Sequence, residues 1–157
     1  MFGNGQTKWP VQSVRSKRAN TTVNADIYMA HGINEYSGRT ATAASVHLRN
    51  GFRVIGIDMP SFGRSSGLHG YLPTLRWNEG ALNAVMLHVH MWDEYEQLEN
   101  LANRKRFAQG ASMGGFTCAY HAALLPPPST SVSKSRNGIC LTAPMLHIST
   151  ITVYYKN

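Results

Sequence analysis

The chain has 157 residues, 43% of them hydrophobic, and a formal net charge of +7. That fits one domain with a sizeable core and excludes a disordered or low-complexity protein. No apolar run approaches the roughly 18–20 residues that span a bilayer, and Met1 to Gly5 lacks the apolar segment of a secretory signal. A cytoplasmic chain is therefore expected, with room for peripheral membrane contact.

The first 24 residues show no clear element beyond a Trp9-Pro10 step and form a poorly defined N-terminal segment. Residues 25–157 form the domain. Ile27 to Ala30 is a short strand that ends at His31-Gly32. Ala41 to Asn50 reads as a helix, with Gly51 as its C-terminal stop. Phe52 to Ile57 is a buried strand closed by Asp58 and Pro60, and Ser61 to Gly70 is a Gly/Ser loop. Ala81 to about Leu101 is a long helix with Leu82, Val85, Met86, Val89 and Trp92 on its core face. Arg106 to Gln109 is the next strand, and Phe116 to Leu125 a helix that stops at Pro126. Ile139 to Ala143 is a last buried strand. The tail from Pro144 to Asn157 has no clear pattern.

Strands alternating with helices imply βαβ units, hence an α/β fold with a mostly parallel sheet and flanking helices. In such sheets ligands bind at the carboxyl ends of the strands. His31-Gly32, Asp58 and Ser112 all fall there.

Gly110-Ala111-Ser112-Met113-Gly114 carries the chemistry. It reads G-x-S-x-G between a strand and a helix, the context of a nucleophile elbow. The turn is so tight that small residues must flank Ser112, and its hydroxyl is pushed up above the sheet. Backbone N–H groups at the helix start can hold an oxyanion. Acyl-transfer enzymes on this sheet take a second N–H from the loop after an early strand, which assigns the Met113 and Ile33 amides. His31 is read as ordering that loop, and Asp58 as bracing the next one.

Other features point elsewhere only weakly. The basic clusters, Lys8 to Arg18 and Arg104 to Arg106, are short, and no nucleic-acid partner is expected. Phe62 to Gly67 lacks the ending of a phosphate loop. His88 and His90 are two positions apart, so they point to different helix faces and do not make a metal site. Cys118 and Cys140 sit in apolar patterns and read as buried free thiols. No cofactor is expected.

Four segments together resemble monoacylglycerol lipases and their relatives. His31-Gly32-Ile33-Asn34-Glu35-Tyr36-Ser37-Gly38-Arg39 is similar to the family's H-G-x-x-E-H-S-G-R segment. Gly51 to Val54, followed by Asp58 to Gly67 and Leu68-His69-Gly70, resembles its next strand and loop. Gly110 to Gly115 resembles its G-x-S-M-G-G elbow, and Thr142 to Met145 the strand leading into its lid. The matches keep the family's order and cover about Tyr28 to Ser149. The wider grouping is the alpha/beta-hydrolase fold, including lysophospholipases and serine aminopeptidase-type hydrolases. The resemblance implies a serine ester hydrolase, with a small-molecule ester or lipid as substrate and an acyl-enzyme on Ser112.

Three departures stand out. Ser61 occupies a position where the family usually has glycine. Asp26 interrupts the strand before His31. The two strands expected upstream are not evident before Asn24.

The triad order in this fold is Ser, then Asp or Glu, then His. After Ser112 this chain has His121 and His147 but no Asp or Glu. The lid, the later strands, the acid and the base are therefore expected beyond Asn157. The chain alone is expected to be a very weak hydrolase or none. The alternative is a non-catalytic remnant that binds an acyl ligand or a partner.

Overall fold

The computed structural model describes residues 11–14, 23, 25–97, 101, 104–124 and 138–145. Five strands form one sheet: β1 (Val11–Val14), β2 (Ala25–Ala30), β3 (Arg53–Ile57), β4 (Lys105–Ala111) and β5 (Gly138–Thr142). Their order is β1-β3-β2-β4-β5. β2 is parallel to both β3 and β4, and β4 is parallel to β5. β1 runs antiparallel to β3, with Val11 opposite Ile57 and Val14 opposite Val54. A strand thus lies within the segment where the sequence pattern showed no element. It is four residues long and pairs with one neighbour, so little local signal marks it.

Among the described residues three α-helices cover the sheet: α1 (Ala41–Arg49), α2 (Arg76–Tyr95) and α3 (Met113–Leu124). Alternation along the strands sorts side chains to two faces. Ile27, Met29 and Val54 pack against Ala44 and Leu48 of α1. Tyr28, Ala30 and Ile55 pack on the other face with Leu82, Val85 and Met86 of α2 and Met113 and Cys118 of α3. Burying both faces is what a parallel sheet requires.

Two elements differ in extent from the sequence pattern. α2 begins at Arg76, five positions before Ala81, and ends at Tyr95. Trp92, expected on the core face, is 57% exposed, because Val85, Met86 and Val89 already fill the contact with the sheet. β5 was expected to be buried, yet Ile139 and Cys140 on it are exposed. Among the described strands it is the outermost of the sheet. Cys118 is buried and Cys140 exposed, which corrects the expectation that both are buried. The stretch from Pro126 to Asn137 and the tail after Met145 lie outside the described residues.

Asp26 breaks the apolar run of β2 for a reason visible across the sheet. It is fully buried and receives two hydrogen bonds from Arg53, from Nε at 2.8 Å and from Nη2 at 2.6 Å. Arg53 also donates to Asp93 near the end of α2, from Nη1 at 2.7 Å. Burial alone would lower the Arg53 pKa, but the bonds to Asp93 and Asp26 outweigh it and raise it. The ion cluster ties β2, β3 and the C-terminal end of α2 together at the amino end of the sheet.

Candidate active site

The carboxyl ends of β2, β3 and β4 converge at the opposite edge. Ser112 stands between β4 and α3 with φ of +50°. A non-glycine residue in this left-handed region is strained, and such strain persists only where the surroundings hold it. They hold it here through three backbone bonds. The Ser112 N–H donates to the Thr142 carbonyl at 3.1 Å, and the Ser112 carbonyl accepts from Phe116 and Met145, each at 3.0 Å.

The flanking glycines are required by space. A Cβ on Gly114 would run into the Ala30 carbonyl, and one on Gly110 would run into the Gly114 carbonyl. α3 therefore starts in direct contact with the end of β2. Gly32, just past β2, lies beside the nucleophile: a Cβ there would stand 3.6 Å from the Ser112 Cβ. Glu35 closes this loop by accepting the Gly32 N–H at 2.9 Å. Sequence reasoning quoted Glu35 only within a motif; a carboxylate three residues after a strand-ending glycine was the available signal.

Ile33 is exposed on the loop after β2, and Met113 is the first residue of α3. Each directly follows one partner of the Gly32–Ser112 contact in the chain.

His31 is 1% exposed and both ring nitrogens are engaged. Nε2 accepts the Met59 N–H at 3.0 Å, so the proton sits on Nδ1, which donates to the Gly32 carbonyl at 2.7 Å. Burial lowers its pKa, against the Gly32 bond and the charges of Asp58 and Glu35. This neutral imidazole links the end of β2 to the loop after β3. It has no nitrogen left for Ser112.

Asp58 does the same for the next loops. Its Oδ1 accepts the Ser37 N–H at 2.7 Å and its Oδ2 the Arg64 N–H at 2.9 Å. Burial alone would raise its pKa, but these N–H bonds outweigh it and hold the carboxyl below the usual carboxylate range. Ser61, where glycine was expected, has φ of +67° and is buried. The loop thus keeps a conformation that favours glycine without having one.

Other titratable side chains on α2 and α3 are engaged with one another or with the sheet. His121 is buried on α3 and its Nδ1 lies 2.9 Å from Glu79 of α2. His90 pairs with Glu94 on α2 at 3.2 Å, and Asp93 belongs to the Arg53 cluster. His147 lies outside the described residues. Among the described residues no histidine or carboxylate side chain bonds the Ser112 hydroxyl, and no group of three metal-ligating side chains occurs. No helix among them is long and apolar enough to cross a membrane.

Comparison with known proteins agrees with this architecture. The model of the family described as serine aminopeptidase, S33, matches residues 21–156. A monoacylglycerol lipase from Paleococcus ferrophilus is similar in structure, with a TM-score of 0.62 at 18% identity, over 87% of this chain and 43% of that one. A soluble variant of monoglyceride lipase from Saccharomyces cerevisiae, solved with a substrate analog, gives 0.65 at 16% identity, over 91% and 43%. A probable hydrolytic enzyme from Pseudomonas aeruginosa gives 0.65 at 22% identity, over 92% and 40%. The chain thus spans less than half the length of these structures. Among curated proteins, none matches. With the family model covering most of its length and the elbow set in a mostly parallel sheet, this chain belongs to the serine aminopeptidase S33 family of alpha/beta hydrolases.

Proposed function

We propose that the chain carries the nucleophile and oxyanion-binding part of a serine ester hydrolase of the monoacylglycerol lipase or lysophospholipase type. The observation that carries this reading is the strained turn at Ser112, with φ of +50°, held by Thr142, Phe116 and Met145 and facing Gly32. In the proposed reaction Ser112 Oγ attacks the ester carbonyl and gives up its proton to a base. The carbonyl oxygen becomes an oxyanion, received by the Ile33 and Met113 amides. The C–O bond to the alcohol then breaks, and the alkoxide leaves with that proton. Water hydrolyses the acyl-enzyme in the reverse sense.

A lipid-like acyl chain suits the surroundings. Ile33, Tyr36, Leu68 and Tyr71 are exposed on the loops that follow β2 and β3. The same side chains would serve peripheral contact with a lipid surface. The base and acid are assigned to residues outside those described, since no described histidine or carboxylate bonds the Ser112 hydroxyl and both ring nitrogens of His31, beside it, are engaged. Loss of the histidine alone costs about 10⁶ in turnover in a well-studied serine protease. The 157-residue chain is accordingly expected to turn over esters slowly or not at all. That supports a second reading, in which the chain binds an acyl ligand without cleaving it.

A fluorophosphonate probe separates the readings. Labelling lost in Ser112→Ala supports the hydrolase. Saturable binding of a fatty-acyl ligand with no Ser112-dependent labelling supports the binder.

A further inference from the structure

α2 is apolar on two sides. Its inner face is committed to the sheet, yet Trp77, Ala84, Leu87, Met91 and Tyr95 also line up along its outside. Trp77 is 54% exposed, Met91 66% and Tyr95 78%. The spacing is i, i+7, i+10, i+14 and i+18, one continuous stripe along the helix. A solvated helix ordinarily carries charge there, and this stripe holds no Asp, Glu, Lys or Arg, with the exposed His88 at its border. We propose that the outer face of α2 pairs with the same face of a second copy of this chain, antiparallel, about a two-fold axis.

The charges at the two ends select this occupant. Arg76 lies at the start of the stripe and Glu94 at its end, both exposed. They are 18 residues apart, which is five turns of 3.6, so they share one flank of the helix. Trp77 and Tyr95 are also 18 apart and share the centre of the stripe. In an antiparallel two-fold pair each flank meets its own copy. When Trp77 meets Tyr95 of the partner subunit, Arg76 therefore comes opposite Glu94 of the partner subunit. Two symmetric ion pairs then bracket an apolar centre. In a parallel two-fold pair each flank meets the opposite flank of its partner, so Arg76 and Glu94 of the two copies would lie on opposite sides of the seam and form no pairs. Arg76 is held on this flank by the Tyr120 ring, 5.7 Å from its guanidinium carbon, and Glu94 by His90 at 3.2 Å.

The size of the stripe sets the strength. A 20-residue helix is about 30 Å long, and a face about 10 Å wide presents roughly 300 Å². A standard stable interface takes about 800 Å² from each partner. The pair is therefore a weak dimer, with a dissociation constant in the micromolar range or above.

Sedimentation equilibrium of the 157-residue chain tests this, with circular dichroism to confirm that each surface variant folds. A concentration-dependent monomer–dimer equilibrium is expected, weakened at least tenfold in Met91→Glu. Arg76→Glu and Glu94→Arg should each weaken it about three- to tenfold, and the double swap should restore it. Recovery in the double variant is a result that a merely sticky face would not produce. A chain that stays monomeric to about 1 mM, or a double swap no tighter than the singles, would overturn the proposal. So would a monomer whose Trp77 emission shifts to the blue only on phosphatidylcholine vesicles, since the stripe would then serve lipid.

Discussion

The two ends of the sheet are held by different means. At the amino end, Arg53, Asp26 and Asp93 form a buried ion cluster that joins three elements through side chains alone. At the carboxyl end, His31, Glu35 and Asp58 each bond backbone N–H or carbonyl groups of loops. The first arrangement fixes where helices and strands sit. The second fixes backbone that has left regular structure, including Ser112 and Ser61 at positive φ. A catalytic turn needs the second kind of support, because strain at one residue persists only when its neighbours over-determine it.

Breaking the charged end should have the largest effect. Arg53→Met leaves buried Asp26 without its partner and Asp93 with only Arg104, 3.8 Å away, and should cost about 3–5 kcal/mol. Urea unfolding measures this, and replacing Asp26 and Asp93 by Leu in the same chain should recover much of the loss. Failure to recover would show that the cluster matters for more than its charge balance.

Breaking the backbone-bonded end should cost less. Asp58→Ala leaves the Ser37 and Arg64 N–H groups without their acceptor and should lose about 1–3 kcal/mol. Hydrogen exchange of the Ser112 amide, which is bonded to the Thr142 carbonyl, reports whether the damage spreads to the elbow. A variant that keeps full stability would mean water replaces the carboxylate easily.

Acid should act on the carboxyl end in two steps. His31 has a folded pKa below its unfolded value, so the unfolded chain binds more protons as pH falls through about 6.5. Its contribution is complete above that pH and declines below it. Asp58 is also depressed, and its contribution declines as pH falls below about 3.8. The urea midpoint should fall in both windows. His31→Gln should flatten the first window relative to the parent chain, and an unchanged slope there would contradict the buried neutral imidazole.

The smallest expected change is a gain. Ser61→Gly relieves a left-handed φ of +67° and should stabilise the chain by up to about 1 kcal/mol, net of the entropy glycine adds to the unfolded state. A loss would mean that the buried hydroxyl contributes more than the strain costs.

Much of the fold could be read from local pattern. The buried strand at Arg53–Ile57, the helix at Ala41–Arg49 and the turn around Ser112 lie where apolar period, glycine stops and tight-turn spacing put them. β1 could not be read, since four residues paired to one strand carry little signal of their own. The outward turn of Trp92 and the exposure of Cys140 were missed for another reason. Period marks a residue as apolar but does not say whether a neighbour remains to cover it.

At the site, Ser112 and the glycines around it were legible because tight turns restrict residue type directly. The tautomer of His31 and the meaning of Asp26 were not. Each depends on a partner brought near by folding, across 28 positions from His31 to Met59 and 27 from Asp26 to Arg53. The sequence by itself determined the alternation of strands and helices, the elbow and the family, because period and turn sterics act within a few residues. Only the tertiary structure decided which charges meet, which ring nitrogens are spent, and that Trp92 and Cys140 stay exposed. Those outcomes rest on long-range contacts that no local pattern encodes.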